Sequence, residues 1–295
     1  MHFNPLINRR KAQDSMSTVT QRAKQIKQPY GGYVKPSAFT TMAFKDGIAL
    51  EPTENIHASL VGIAVDYMTR FLMMQDVKKA FAVSMAGYNS RLQALCYDDL
   101  YKIMEQIASD GESSMPFLLE QIKGMDDASI TAACKAVSYD VWYRDPMAAF
   151  LSKDASEITP DQPTIQNIRT MIERSLAFWK NFGPITAEGF DFQEKDAHGD
   201  ILKTGYTATV NAGEGDYLTS DTLWDFKTSK NAPTSKHTLQ LLMYYLMGKH
   251  SGIDIFKSIT RIGFFNPRLN IAYVLDVKDV PDAILKAVEQ DVIGY

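Results

Sequence analysis

Gly215-Asp216-Tyr217-Leu218-Thr219-Ser220-Asp221-Thr222-Leu223-Trp224-Asp225-Phe226-Lys227-Thr228-Ser229-Lys230 is the stretch on which the fold turns. Leu223, Trp224 and Phe226 are apolar or aromatic; Ser220-Asp221 precedes them, and Ser229 to Pro233 follow. A short apolar run bounded by turn-forming residues predicts a strand at about 222–228, with another at about 216–219. Side chains alternate faces along a strand, so Asp225 and Lys227 share one face while Trp224 and Phe226 share the other. Burying both charges is costly, so the Asp225–Lys227 face is expected to open to solvent or to a ligand, with Trp224 and Phe226 packed on the core.

A helix follows at about 235–249, and spacing of four puts Gln240 and Tyr244 on one of its faces beside a stripe of Leu239, Leu242, Met243 and Leu246. Two carboxylates beside a lysine can hold a divalent cation and a water against a phosphodiester. The short motifs are unspecific singly: Asp-x-Lys also occurs at Asp76–Lys78 and Asp276–Lys278, and Gln-x-x-x-Tyr at Gln93–Tyr97. Only between 216 and 244 does an acid precede a hydrophobic Asp-x-Lys strand that in turn precedes a Gln-x-x-x-Tyr helix. The plainer readings are a solvated edge-strand ion pair for Asp225 and Lys227, and a packed ring with a satisfied hydroxyl for Tyr244.

That order of residues resembles the PD-(D/E)XK superfamily, and the Gln240-x-x-x-Tyr244 element resembles its RecB-like nuclease branch, over roughly residues 185–277. The resemblance implies a restriction-endonuclease-like α/β core, a mixed sheet flanked by helices, with a large N-terminal helical region. It implies a divalent-metal-dependent nuclease, most readily a DNA exonuclease of recombination, phage or defence context. Asp216 and Asp225 would be metal ligands for Mg²⁺ or Mn²⁺, with the Phe226 carbonyl a third. Lys227 would stand near the attacking water, and Gln240 and Tyr244 would face the site or the DNA. Lys230 and Lys236 flank the site as candidates for backbone phosphates, or as plain surface lysines. Relatives often place a histidine on an upstream helix near the metal, and His57 in Asn55-Ile56-His57-Ala58-Ser59-Leu60 fits that character; a first-turn histidine bonding locally is an equal reading.

One departure bears on activity. Many relatives carry the first acid as Gly-x-x-Asp, and Gly205-Tyr206-Thr207-Ala208 would put alanine there. Asp216 is the favoured position; if Ala208 marks the true one, the site has lost a ligand. A catalytically inactive nucleic-acid-binding or interaction module on the same fold is therefore the alternative function, and a scaffold working through the helical half is a third.

At 295 residues and 45% apolar composition the chain can bury a sizeable core. The net charge of −4 advertises no global field for nucleic acid, but it is unevenly spread. Residues 1–40 carry Arg9, Arg10, Lys11, Arg22, Lys24, Lys27 and Lys35 against Asp14, a net of +6 that leaves −10 for the rest. Such an arm could contact phosphates or simply be solvated. Cys96 and Cys134 are too few for a zinc set, a disulfide framework or a four-cysteine iron–sulfur cluster. No apolar run approaches the roughly 20 residues of a membrane span, and the expected location is the cytoplasm.

Along the chain, residues 1–52 read as a basic, loosely ordered arm, 53–182 as a helical region packed on the core, and 183–295 as the nuclease core. Thr53-Glu54 is expected to open a helix to about 74, with Asp66 on it, and further helices are expected at about 76–88, 92–109, 114–123 and 128–143. A helix from Thr164 to Phe182 stops at Gly183-Pro184. Strands are then expected at about 188–194, 204–212, 259–265 and 270–277 besides the two above, with a closing helix at 281–292. Asn266 and Arg268 fall in the turn between the last two strands. Dimers and toroidal trimers both occur among proteins of the family it resembles, so a homo-oligomer is a possible assembly.

Overall fold

The computed structural model describes residues 17–97 and 99–295. The chain is α/β, and its described residues divide into two compact units, one of residues 17–44 and 179–295 and one of residues 45–178. Arg9, Arg10, Lys11 and Asp14 of the basic segment lie outside the described residues.

The first unit is built on a mixed six-stranded sheet. Its strands are β1 (Thr40–Ala43), β2 (Ala187–Phe190), β5 (Gly215–Leu218), β6 (Thr222–Phe226), β7 (Arg261–Asn266) and β8 (Ile271–Asp276); β3 (Gln193–Lys195) and β4 (Ile201–Thr204) form a separate hairpin. The order is β1-β8-β7-β6-β5-β2. Only β6 and β7 run parallel, as their connection requires: it carries the helix Ser235–Ser251, long enough to cross back over the sheet. The other neighbours are antiparallel.

Four helices are labelled by number: α1 (Val19–Gln25), α2 (Ala58–Met74), α3 (Gln162–Phe182) and α4 (Ser235–Ser251). The sheet's two faces differ in character. Register puts Asp225 beside Phe264 and Phe264 beside Tyr273, so Leu223, Ile262, Phe264, Tyr273 and Leu275 share the Asp225 face. These join Leu239, Leu242, Met243 and Leu246 of α4 in one buried cluster. The opposite face is aromatic: Trp179 at the end of α3 stacks on Phe226 at 5.2 Å, and Phe182 meets Trp224 edge-on at 5.5 Å. At Gly263 a Cβ would come within 2.6 Å of the Trp224 ring, so the sheet tolerates only hydrogen there.

Residues 17–44 correct the reading of 1–52 as a loose arm. α1 buries Val19 and Ala23 and packs on α4, Arg22 donates to the carbonyls of Val292 and Asp291, and β1 pairs with β8 as an edge strand. The strand expected at 204–212 is also corrected, since β4 ends at Thr204. There Gly205 lies against the Met247 carbonyl, Tyr206 donates its hydroxyl to Gly213 O, and Thr207 Oγ1 accepts from Val210 N. Side-chain bonds to nearby backbone replace the ladder. The closing helix runs Asp282–Ala287 and continues as a π turn over Val288–Ile293.

The second unit is helical, with α2, Ala82–Cys96, Leu100–Asp110, Met115–Gln121 and Asp127–Val137 around Val61, Met68, Phe81, Leu118, Ile130 and Ile168. α2 begins at Ala58 rather than Thr53, and the 92–109 pattern breaks at Tyr97, which closes one helix at φ 50°. Arg174 donates to Asp46 Oδ2 at 2.6 Å and to Ile48 O at 2.7 Å, and Asn55 holds Thr159 O and Thr164, so the unit's first and last residues are fastened together. Among the described residues no helix is long and apolar enough to cross a membrane.

Candidate active site

Strand pairing assembles the site. Tyr217 lies opposite Trp224 and Leu218 opposite Leu223, and one further step in that antiparallel register sets Asp216 opposite Asp225 on the same face. The Asp216 carboxylate reaches across to accept the Phe226 backbone N–H at 2.7 Å. Lys227 leaves the end of β6 with its N–H donated to Phe265 O at 3.0 Å, which anchors its backbone to β7. Its ammonium stands 2.9 Å from Asp225 Oδ1 and 2.8 Å from Oδ2.

The expectation that the Asp225–Lys227 face opens to solvent needs correcting. Asp225 is only 3% exposed and Lys227 is half-buried. α4 covers this face, and Gln240 and Tyr244 on it are buried as well. Burial disfavours the Lys227 ammonium, yet the charges of Asp225 and Asp216 outweigh it and raise its pKa above the ordinary lysine value. Lys227 is thus a fixed cation at neutral pH, suited to hold anionic charge and unsuited to remove a proton. Burial, then the negative field of Asp225, likewise pushes the Tyr244 phenol up. Gln240 Nε2 donates to Tyr244 Oη at 2.8 Å, so the phenol keeps its own proton for another acceptor.

Asp225 Oδ2 is a buried oxygen that makes no hydrogen bond; its contact with Lys227 is ionic and poorly aligned. A buried carboxylate oxygen without a hydrogen bond, beside a second carboxylate, is where a hard cation gains most. Among the described residues no group of three or more His, Cys, Asp and Glu stands ready for a metal. Asp216 and Asp225 are the two carboxylates here that could hold a metal, and a pair of oxygen donors suits an ion that keeps several waters, as Mg²⁺ does.

The remaining expected residues fall as follows. Lys230 and Lys236 are exposed, after β6 and in the first turn of α4. His57 belongs to the helical unit, where it is the N-cap of α2: its Nδ1 accepts from Ser59 N at 3.3 Å and lies 2.6 Å from Ser59 Oγ. Ala208 sits in an exposed bend beyond β4, whereas Asp216 is on the strand facing Asp225. Asn266 accepts from the Arg268 and Leu269 amides and donates to Ser229 O, which is turn chemistry that also steadies the loop after β6.

Three residues at the site were missed from sequence. Thr20 of α1 accepts from Gln240 Nε2 at 3.1 Å. Lys24, one turn on, and His237 are electrically coupled, and His237 also feels Lys227 and Asp225. His237 carried a signal, since it precedes Gln240 by three and Tyr244 by seven and so lies on their face of α4. Thr20 and Lys24 had none, because α1 reaches α4 across more than 200 residues of chain. No family model, curated protein or solved structure matches this chain.

Proposed function

We propose that the chain is a divalent-metal-dependent nuclease on a restriction-endonuclease-like core, acting inside the cell and most readily as a DNA exonuclease. One observation carries this: Asp216 opposite Asp225, with the Lys227 ammonium on Asp225, beneath the buried Gln240–Tyr244 pair. Asp216, Asp225 and the Phe226 carbonyl would hold Mg²⁺ or Mn²⁺. When bound, such an ion polarises a phosphodiester and lowers the pKa of a water beside it. Lys227 stays protonated and offsets the charge that builds on the phosphate oxygens as water attacks and the 3′ or 5′ oxygen leaves. Tyr244 donates its free hydroxyl hydrogen to a phosphate oxygen or to that water, and Gln240, tied to Thr20, fixes the phenol's position. Exposed Lys230 and Lys236 supply phosphate contacts outside the centre.

The test is cleavage of linear, nicked and closed-circular DNA with Mg²⁺ or Mn²⁺, wild type beside Lys227→Ala and Asp225→Asn. Degradation by wild type alone supports catalysis at this site, and sparing of the closed circle supports an exonuclease. Intact DNA in every lane, from folded protein, would remove the DNase reading.

A further inference from the structure

His237 stands at the start of the α4 face that carries Gln240 and Tyr244, half-buried, with Lys227, Asp225 and Lys24 as its charged neighbours. Its Nδ1 accepts the Thr234 backbone N–H at 3.1 Å. An amide only donates, so Nδ1 carries no proton, and the neutral ring must hold its hydrogen on Nε2. The Thr234 contact is the ring's one hydrogen bond among the described residues.

We propose, resting on the nuclease reading above, that His237 is a phosphate-contacting residue whose Nε2–H donates to a non-bridging oxygen of the phosphodiester held beside Lys227. The helix face fixes where the ring stands, and the Thr234 amide fixes which nitrogen is the donor. Protonation would need Nδ1 to surrender that amide. Burial, and then the positive charge of Lys227, also lower the ring's pKa, against the pull of Asp225 and with a smaller push from Lys24. The ring therefore acts at neutral pH as an uncharged donor in the positive field of Lys227 and Lys24. A third cation there would be repelled, whereas an N–H dipole adds a directed contact to phosphate without net charge. A histidine that served only to bind the Thr234 amide would need Nδ1 alone.

Two measurements test this. Long-range ¹⁵N–¹H correlation spectra, with His237 assigned by substitution, should show the Nε2–H tautomer; an Nδ1–H tautomer overturns the proposal whatever the activity. Asn at 237 retains an acceptor for the Thr234 amide but lacks the distal donor, whereas Gln places an amide N–H near the Nε2 position. Fluorescence anisotropy with a labelled duplex, without divalent cation, should show His237→Asn binding about tenfold more weakly at unchanged melting temperature, with His237→Gln nearer wild type. Wild-type affinity in His237→Asn, from a parent that binds and cleaves DNA, overturns the His237 role and leaves the nuclease reading standing. A parent that neither binds nor cleaves removes both.

Discussion

Lys227 Nζ lies 2.8 Å from Asp225 Oδ2 and 2.9 Å from Oδ1, so the ammonium faces both oxygens of the carboxylate under α4. The lysine thus occupies part of the electrostatic role that a divalent cation would take. Lys227→Met is expected to bind Mn²⁺ about tenfold more tightly than wild type while losing cleavage, since a competing positive charge a few ångströms away is removed. Titration calorimetry beside a nuclease assay checks this; weaker Mn²⁺ binding in the variant would contradict it.

Cation binding should also appear as stability. Mg²⁺ at about ten times its Kd adds about 1.4 kcal/mol to a protein that binds it only when folded. The melting temperature of wild type is expected to rise with Mg²⁺ and that of Asp225→Asn to stay flat. An equal rise in both would place the bound ion elsewhere.

The sheet's aromatic face depends on the missing side chain at Gly263. An added Cβ would sit 2.6 Å from the Trp224 ring and 3.0 Å from the Tyr273 carbonyl. Gly263→Ala is expected to cost about 1–3 kcal/mol, as overpacking does, read from the urea midpoint. Trp224 adjoins Asp225, so cleavage should fall with it; an unshifted midpoint would mean that the strands yield freely.

In the helical unit Asp140 is 2% exposed and accepts from Tyr67 Oη at 2.7 Å and Ser84 Oγ at 2.5 Å. Asp140→Ala leaves both hydroxyls buried without that acceptor, at about 1–3 kcal/mol for each. Burial raises the Asp140 pKa against the pull of its partners, so ionisation itself costs stability in the fold. Asp140→Asn is therefore expected to be milder than Ala in thermal melts at neutral pH; equal losses would refute the hydrogen-bond account.

The Asp46–Arg174 pair gives a pH signature. The Arg174 hydrogen bond holds the Asp46 carboxyl below its ordinary 3.8. A carboxyl depressed in the fold contributes stability above its unfolded value and loses it as pH falls through the lower folded value. The stability gap between wild type and Asp46→Asn should be full above about pH 5 and close on acidification below about pH 4. A gap that is constant with pH would argue against the ion pair.

Much of the core was legible because it is local. Period two gave the shared face of Asp225 and Lys227, and a spacing of four paired Gln240 with Tyr244. The exposure of that face was misjudged, because α4 is buried almost all round and its sequence pattern does not show that it lies over the charges. α1 and β1 escaped notice for another reason. Val19 and Ala23 are too few apolar residues to mark a helix, and four residues of strand mean nothing until β8 is there to pair with them. His237 lacks metal-ligand spacing, although its place on the Gln240–Tyr244 face is readable from its spacing of three and seven.

The pairing of β1 with β8 has a consequence for biosynthesis. Thr40 must wait for Val274 to leave the ribosome. At about 5–20 residues per second, that interval is on the order of 10–50 s. The helical unit, contiguous in the chain and fastened by Asp46 and Arg174, can complete itself first. The nascent N-terminal segment meanwhile carries Thr20 apart from Gln240 of α4, so the Gln240–Tyr244 side of the sheet unit is the last to mature. A nascent chain stalled before residue 271 would hold a finished helical unit and an unfinished sheet.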